Sequence, residues 1–161
     1  MISTLLVDDE HALLDISRAF LQKTGEISVE TADSAAAALD KFKSGTYDVI
    51  VSDYDMPGMD GLALLKKLRA DGEKIPFILF TGKGREEIVI AALNNGATFY
   101  LQKGTDTVAQ YAELTHKIRI ADRHYRAEQS AQESHQQIEN ILNFLPDPTI
   151  VIDLQGKLIV W

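Results

Sequence analysis

Four short polar clusters in this chain of 161 residues each stand directly after an apolar run. Asp8-Asp9-Glu10 follows Thr4 to Val7, and Asp53-Tyr54-Asp55 follows Val49 to Ser52. Thr81-Gly82 follows Phe77 to Phe80, and Gln102-Lys103-Gly104 follows Phe99 to Leu101. Carboxylates gathered in one place repel each other unless a cation sits among them. A donor set made only of oxygen suits a hard ion such as Mg2+, which keeps several waters and takes few carboxylates. A carboxylate beside Mg2+, an ammonium and a hydroxyl is also equipped for phosphoryl transfer, because the two cations offset charge on the transferred oxygens while one carboxylate attacks phosphorus. Singly, each cluster has an ordinary reading. Asp8, Asp9 and Glu10 suit the first turn of a helix, Asp53 a strand end, Thr81 a turn and Lys103 a solvated surface. Their joint occurrence after four separate apolar runs favours a site.

These clusters meet only if the runs lie side by side. With Ile27 to Thr31 there are five runs of strand length at nearly even intervals. Between them apolar residues take helical spacing: Leu13, Ile16, Phe20 and Leu21, then Ala35 to Phe42, then Leu62, Leu65 and Leu68, then Ile88, Ala91, Ala92 and Leu93. Continuous apolar strands alternating with helices predict an α/β fold with a parallel sheet covered on both faces. In such a sheet the ligand site lies outside the carboxyl ends of the strands, where all four clusters fall. Gly25, Gly45, Gly72 and Gly96 follow the helical stretches where a left-handed cap is expected, and Ser34 and Thr107 stand at expected N-caps.

After Gly104 the texture changes. From Thr107 to Asn143 there is no Gly or Pro, which predicts one long helix. Its apolar stripe runs through Val108, Tyr111, Leu114, Ile118, Ala121 and Tyr125, fades, and returns at Ile138, Ile141, Leu142 and Leu145. The returning patch is a place for a second copy of the chain to pair. Pro146 and Pro148 end the helix, and Thr149 to Asp153 with Leu158 to Trp161 predict two strands around a turn at Gly156. A lone hairpin is marginal in water, so this tail is expected to open a further domain.

Composition excludes several classes. Lys and Arg number 16 against 24 Asp and Glu, a net charge of -8 that repels a phosphate backbone and argues against direct nucleic-acid binding. No cysteine is present, which removes disulfides, thiolate nucleophiles and cysteine-held metals and suits a reducing cytoplasmic setting. No apolar run approaches the ~20 residues that span a bilayer, so no membrane role is expected. The histidines His11, His116, His124 and His135 are dispersed on predicted helices and suggest neither a phosphodonor nor a zinc site.

With these residues in view, residues 1 to 122 resemble the receiver domains of two-component response regulators. The resemblance rests on Asp8-Asp9, on Asp53 followed by Met56-Pro57-Gly58-Met59-Asp60-Gly61, on Thr81 and on Lys103, all in the family's order. It implies a flavodoxin-like doubly wound sheet of strand order 2-1-3-4-5. It also implies Asp53 as phosphoacceptor, and Mg2+ held by Asp8, Asp9, Asp53 and the backbone carbonyl of Asp55. Thr81 and Lys103 would hold the phosphoryl oxygens, and Thr81 with Tyr100 would form a conformational switch. The implied donor is a sensor histidine kinase or a phosphotransfer protein. The implied chemistry is limited to self-catalysed phosphotransfer and autodephosphorylation, so the chain is expected to be a signalling domain and no enzyme. Where the family commonly has a proline after the lysine, this chain has Gly104, for which a trans bond is expected. A second, shorter resemblance covers Phe144 to Asp153 with Gly156-Lys157, which looks like the entry of a PAS sensor domain. The chain thus divides into 1–122, a helical linker 123–143, and a PAS opening 144–161.

Two rival readings stand beside this one. Val49 to Asp55 also fits an aspartate nucleophile of the haloacid-dehalogenase type, but that class places its nucleophile near the N-terminus, whereas here Asp8-Asp9 comes first. A receiver fold that binds partners without phosphorylation is the other, and the presence of Asp53, Thr81 and Lys103 argues against it.

Overall fold

The computed structural model describes residues 1–82, 86–144, 151–152 and 155–160. The first compact unit spans Met1–Tyr125. Its elements alternate as β1 (Ile2–Val7), α1 (His11–Gln22), β2 (Ile27–Ala32), α2 (Ala35–Ser44), β3 (Val49–Ser52), α3 (Gly61–Ala70), β4 (Phe77–Thr81), α4 (Glu86–Asn94), β5 (Phe99–Gln102) and the start of α5 (Thr107–Phe144). The strands form one parallel sheet in the order β2-β1-β3-β4-β5, as expected. The register sets Val7 beside Ala32 and Ser52, and Thr81 beside Gln102, so the carboxyl ends of all five strands share one edge.

Side chains alternate across a strand with period two, and the core divides accordingly. Leu5, Val7, Ile50, Phe77 and Leu79 face Ala35, Ala38 and Leu39 of α2, Leu64, Leu65 and Leu68 of α3 and Ala92 of α4. Leu6, Val49, Val51, Ile78 and Phe80 face Leu14 and Leu21 of α1 and Tyr111, Leu114, Ile118 and Ala121 of α5. Each fully buried Leu, Ile or Phe contributes ~1.5–3 kcal/mol, so burial on both faces is what makes strands this short stable.

Several local expectations are corrected. On α1 the buried face is Leu14, Ser17 and Leu21, while Ile16 is exposed. The reason is tertiary: the Ser17 hydroxyl hydrogen-bonds the Tyr111 hydroxyl at 2.7 Å, and Phe20 stacks on the Tyr111 ring at 4.8 Å. Val108 is exposed as well, because the first turn of α5 precedes its contact with the sheet, and Leu93 on α4 is half exposed. Gly45 is not left-handed: its backbone is extended at φ -119°, and a Cβ there would meet the Tyr47 ring at 3.0 Å, so the glycine leaves room for that ring. Ser34 caps α2 as expected, accepting from the Ala37 amide at 3.2 Å. At α5 the cap is Asp106, whose Oδ1 accepts from the amides of Val108 and Ala109, both at 3.0 Å; Thr107 is the first residue of the helix.

The second compact unit spans Arg126–Trp161. It contains the remainder of α5, exposed throughout 131–141, and an antiparallel pair of β6 (Val151–Ile152) and β7 (Leu158–Val160), with Gly156 left-handed between them. The predicted hairpin is therefore present in its strands. Lys83 and Arg85, which follow Thr81-Gly82 in the chain and suit solvated loop charges, lie outside the described residues, as do Leu145 and most of the segment resembling a PAS entry. No cis peptide bond occurs among the described residues, and the bond before Gly104 is trans.

Candidate functional site

Backbone hydrogen bonds carry the sheet one residue past the strand ends and so align the polar clusters. The Asp8 amide donates to the Ala32 carbonyl at 3.1 Å, the Asp53 amide to the Val7 carbonyl at 2.8 Å, and the Lys103 amide to the Thr81 carbonyl at 2.8 Å. From this edge the Lys103 ammonium reaches both buried carboxylates, donating to Asp8 Oδ2 at 2.7 Å and to Asp53 Oδ1 at 2.8 Å. Asp53 Oδ2 accepts from the Asp55 amide at 2.6 Å, and Asp8 Oδ1 accepts from the Glu10 amide at 2.9 Å. All four carboxylate oxygens are thereby engaged.

The loop after β3 is held from beneath. The Ser52 hydroxyl donates to the Asp53 carbonyl at 2.8 Å, the Gly61 amide donates to the Tyr54 carbonyl at 3.0 Å, and Asp60 caps α3 by accepting from the Ala63 amide at 2.7 Å. A Cβ on Gly61 would stand 2.1 Å from the Asp53 carbonyl oxygen, so only glycine lets α3 begin this close to the carboxylate. Met56 is buried against the same core.

Over these groups lies a cleft of about 300 Å³ lined by Asp9, Glu10, Leu13, Asp53, Asp55, Thr81, Gly82 and Lys103. Asp53 is 8 % exposed and Thr81 1 %, whereas Asp55 is exposed and Asp9 half-buried. Asp8 does not line the cleft. It sits behind Lys103, a depth that strand-end spacing does not convey. Burial alone would lower the Lys103 pKa, but the hydrogen bonds and charges of Asp53 and Asp8 outweigh it and hold the ammonium above its ordinary range. Tyr100, on β5, is half-buried, and burial followed by the Asp53 charge raises its phenol. Lys103 also stands 5.7 Å from the centre of the Phe80 ring.

Of the residues singled out in the sequence, Asp9, Asp53, Asp55, Thr81 and Lys103 line one cleft, Asp8 supports it, and Tyr100 lies on the strand that leads to Lys103. Gly61 escaped notice as a site residue although it closes the Met56 to Gly61 motif. Glu10, Leu13 and Gly82 add to the lining, the first and last as neighbours of residues already marked. Among the described residues no three acidic or imidazole side chains converge into a ready-made metal cage. The groups that do converge are the carboxylates of Asp8 and Asp53 around the one ammonium of Lys103.

Comparison with known proteins decides the family. Residues 4–119 match the response regulator receiver domain. The chain belongs to that family. It is 36% identical over 116 residues to the chemotaxis protein CheY-3 of Vibrio cholerae, covering 71% of this chain and 88% of that one. The receiver domain of the Francisella response regulator 1452 superposes with a TM-score of 0.71 at 28% identity, covering 78% of this chain and 99% of the other. The response regulator TrrA of Thermotoga maritima, solved in complex with Mg2+-BeF, superposes with a TM-score of 0.63 at 27% identity, covering 73% of this chain and 99% of its own. This receiver is therefore a domain of two-component signalling with a phosphoacceptor role, and the haloacid-dehalogenase reading is set aside. Among the described residues no helix is long and apolar enough to cross a membrane.

Proposed function

We propose that Asp53 accepts the phosphoryl group and that Asp9, Asp53 and the backbone carbonyl of Asp55 hold Mg2+, with Asp8 completing the acidic set behind them. The observation that carries this reading is the Asp53 carboxylate itself, held at the floor of an open cleft by the Lys103 ammonium at 2.8 Å and the Asp55 amide at 2.6 Å. Two fixed donors orient the carboxylate while each oxygen keeps a lone pair. The donor is a phosphohistidine on a sensor histidine kinase or a phosphotransfer protein. One Asp53 oxygen attacks phosphorus, the P–N bond breaks with its electron pair returning to the imidazole, and an acyl phosphate remains on Asp53. Lys103 and the Thr81 hydroxyl then face the phosphoryl oxygens. Hydrolysis reverses the state: water attacks phosphorus, the acyl P–O bond breaks, and inorganic phosphate leaves a free Asp53 carboxylate.

The donor set fits Mg2+, being all oxygen, with the half-buried Asp9 and the exposed Asp55 leaving room for the waters that such an ion would keep. When bound, the ion supplies charge neutralisation for the transferred oxygens. Thr81 and Tyr100 serve as the switch: Thr81 moves toward the new anion and Tyr100, on the strand paired with β4, follows into the space it leaves. We read residues 123–143 as a connector, the segment from Phe144 as the opening of a PAS domain, and the distal helix as a homodimer contact, in a cytoplasmic protein. Mass spectrometry after incubation with acetyl phosphate and Mg2+ and borohydride trapping tests the assignment. The adduct is expected on Asp53 and absent from Asp53→Asn; equal labelling of that variant would move the nucleophile elsewhere.

A further inference from the structure

We infer that α5 pairs with a second copy of this chain over residues 127–141 as a parallel two-stranded coiled coil whose seam is Ala127, Ala131, Ser134, Ile138 and Ile141. The inference rests on the homodimer reading above and gives it a register and an orientation. These residues follow one another at intervals of four, three, four and three, the repeat of a and d positions in a left-handed coiled coil. The row does not continue the stripe that packs on the sheet. Extending Tyr111, Leu114, Ile118, Ala121 and Tyr125 at the same intervals leads to Glu128, Gln132, His135 and Glu139, which no core would bury.

All five seam residues are exposed, Ile138 by 57% and Ile141 by 63%. The polar contacts within this part of the helix lie off the row: His135 pairs with Glu139 at 3.4 Å, and Gln136 donates to Asn140 at 3.2 Å. Ile at both a and d positions taken alone favours three or four strands, but Ala127, Ala131 and Ser134 are too small to fill the wider axis of such a bundle, whereas two helices can approach closely over them. Orientation follows from charge. In a parallel pair the g position of one helix meets the e position five residues on in the other, so Arg123 of each copy meets Glu128 of its partner, twice by symmetry. An antiparallel pair would leave both charges unmatched. Leu142 falls at an e position beside the seam.

The chain has no native cysteine, so single substitutions give single thiols. Ala127→Cys, Ala131→Cys, Ser134→Cys, Ile138→Cys and Ile141→Cys are compared with Gln129→Cys and Gln136→Cys under mild oxidation, alongside sedimentation equilibrium of the unsubstituted chain. We expect a monomer–dimer equilibrium, disulfide dimers at every seam position at least tenfold faster than at Gln129 or Gln136, and a monomer for Ile138→Asp/Ile141→Asp with its acetyl phosphate labelling intact. A dimer that cross-links without regard to position overturns the register, and cross-linking confined to Ser134 overturns the parallel orientation. Sedimentation as a monomer at all concentrations overturns the homodimer reading itself.

Discussion

Replacing Lys103 with methionine removes the cation that two buried carboxylates share and keeps most of the side-chain volume. In the parent the ammonium is 2.7 Å from Asp8 and 2.8 Å from Asp53, and each of those side chains is only 9% exposed. Removing one partner of a buried charge pair costs ~3–5 kcal/mol when no solvent can replace it. Here the lysine side chain is 20% exposed beneath an open cleft, and Asp8 and Asp53 keep the Glu10 and Asp55 amides. The loss should therefore fall near ~2–3 kcal/mol at pH 7 without metal, which for a domain of this size lowers the melting temperature by roughly 10 °C. Mg2+ should stabilise the variant more than the parent, because it binds the folded state and there meets an acidic pair no longer neutralised by the lysine. Urea unfolding at pH 7, with EDTA and with Mg2+, measures both effects. A variant within ~0.5 kcal/mol of the parent in EDTA, with no larger gain from Mg2+, would refute the view that Lys103 compensates the acidic pair.

Gly61→Ala should destabilise by ~1–3 kcal/mol, because its methyl meets backbone 2.1 Å away and either α3 or the Asp53 carbonyl must shift; calorimetry measures the loss, and acetyl phosphate labelling should slow with it. Ending the chain after Arg126 should leave the unfolding midpoint of the receiver and its Asp53 labelling rate nearly unchanged, since Met1–Tyr125 forms a compact unit of its own; a fall of several degrees would make the tail integral to the fold. Tyr47 should ionise last or nearly last among the tyrosines, because burial and then the Glu30 hydrogen bond push its phenol up to about 12. A pKa raised in the fold means that this contribution is complete below pH 10 and is lost as pH rises toward 12, which ultraviolet titration of the parent against Tyr47→Phe will resolve.

The sequence by itself carried the architecture of the first unit. Five apolar runs separated by helical spacing can be satisfied only by a parallel sheet with helices on both faces, and the rule that ligands meet such a sheet at its carboxyl edge then selected Asp9, Asp53, Thr81 and Lys103. Chain order and residue type suffice for that, because strand ends are local features and the edge gathers them. Tertiary structure alone decided the rest. Periodicity marked Ile16 on α1, but Ser17 is the buried residue because a hydroxyl 94 positions away, on Tyr111, satisfies it. Gly45 looked like a left-handed cap, and the Tyr47 ring, two residues on, explains it instead. Asp8 and Asp9 are neighbours of one type, yet only the depth of the sheet edge separates the carboxylate under Lys103 from the one that opens to the cleft. Spacing reports which residues arrive at an edge; which of them is covered, and by what, depends on contacts between elements that no local pattern encodes.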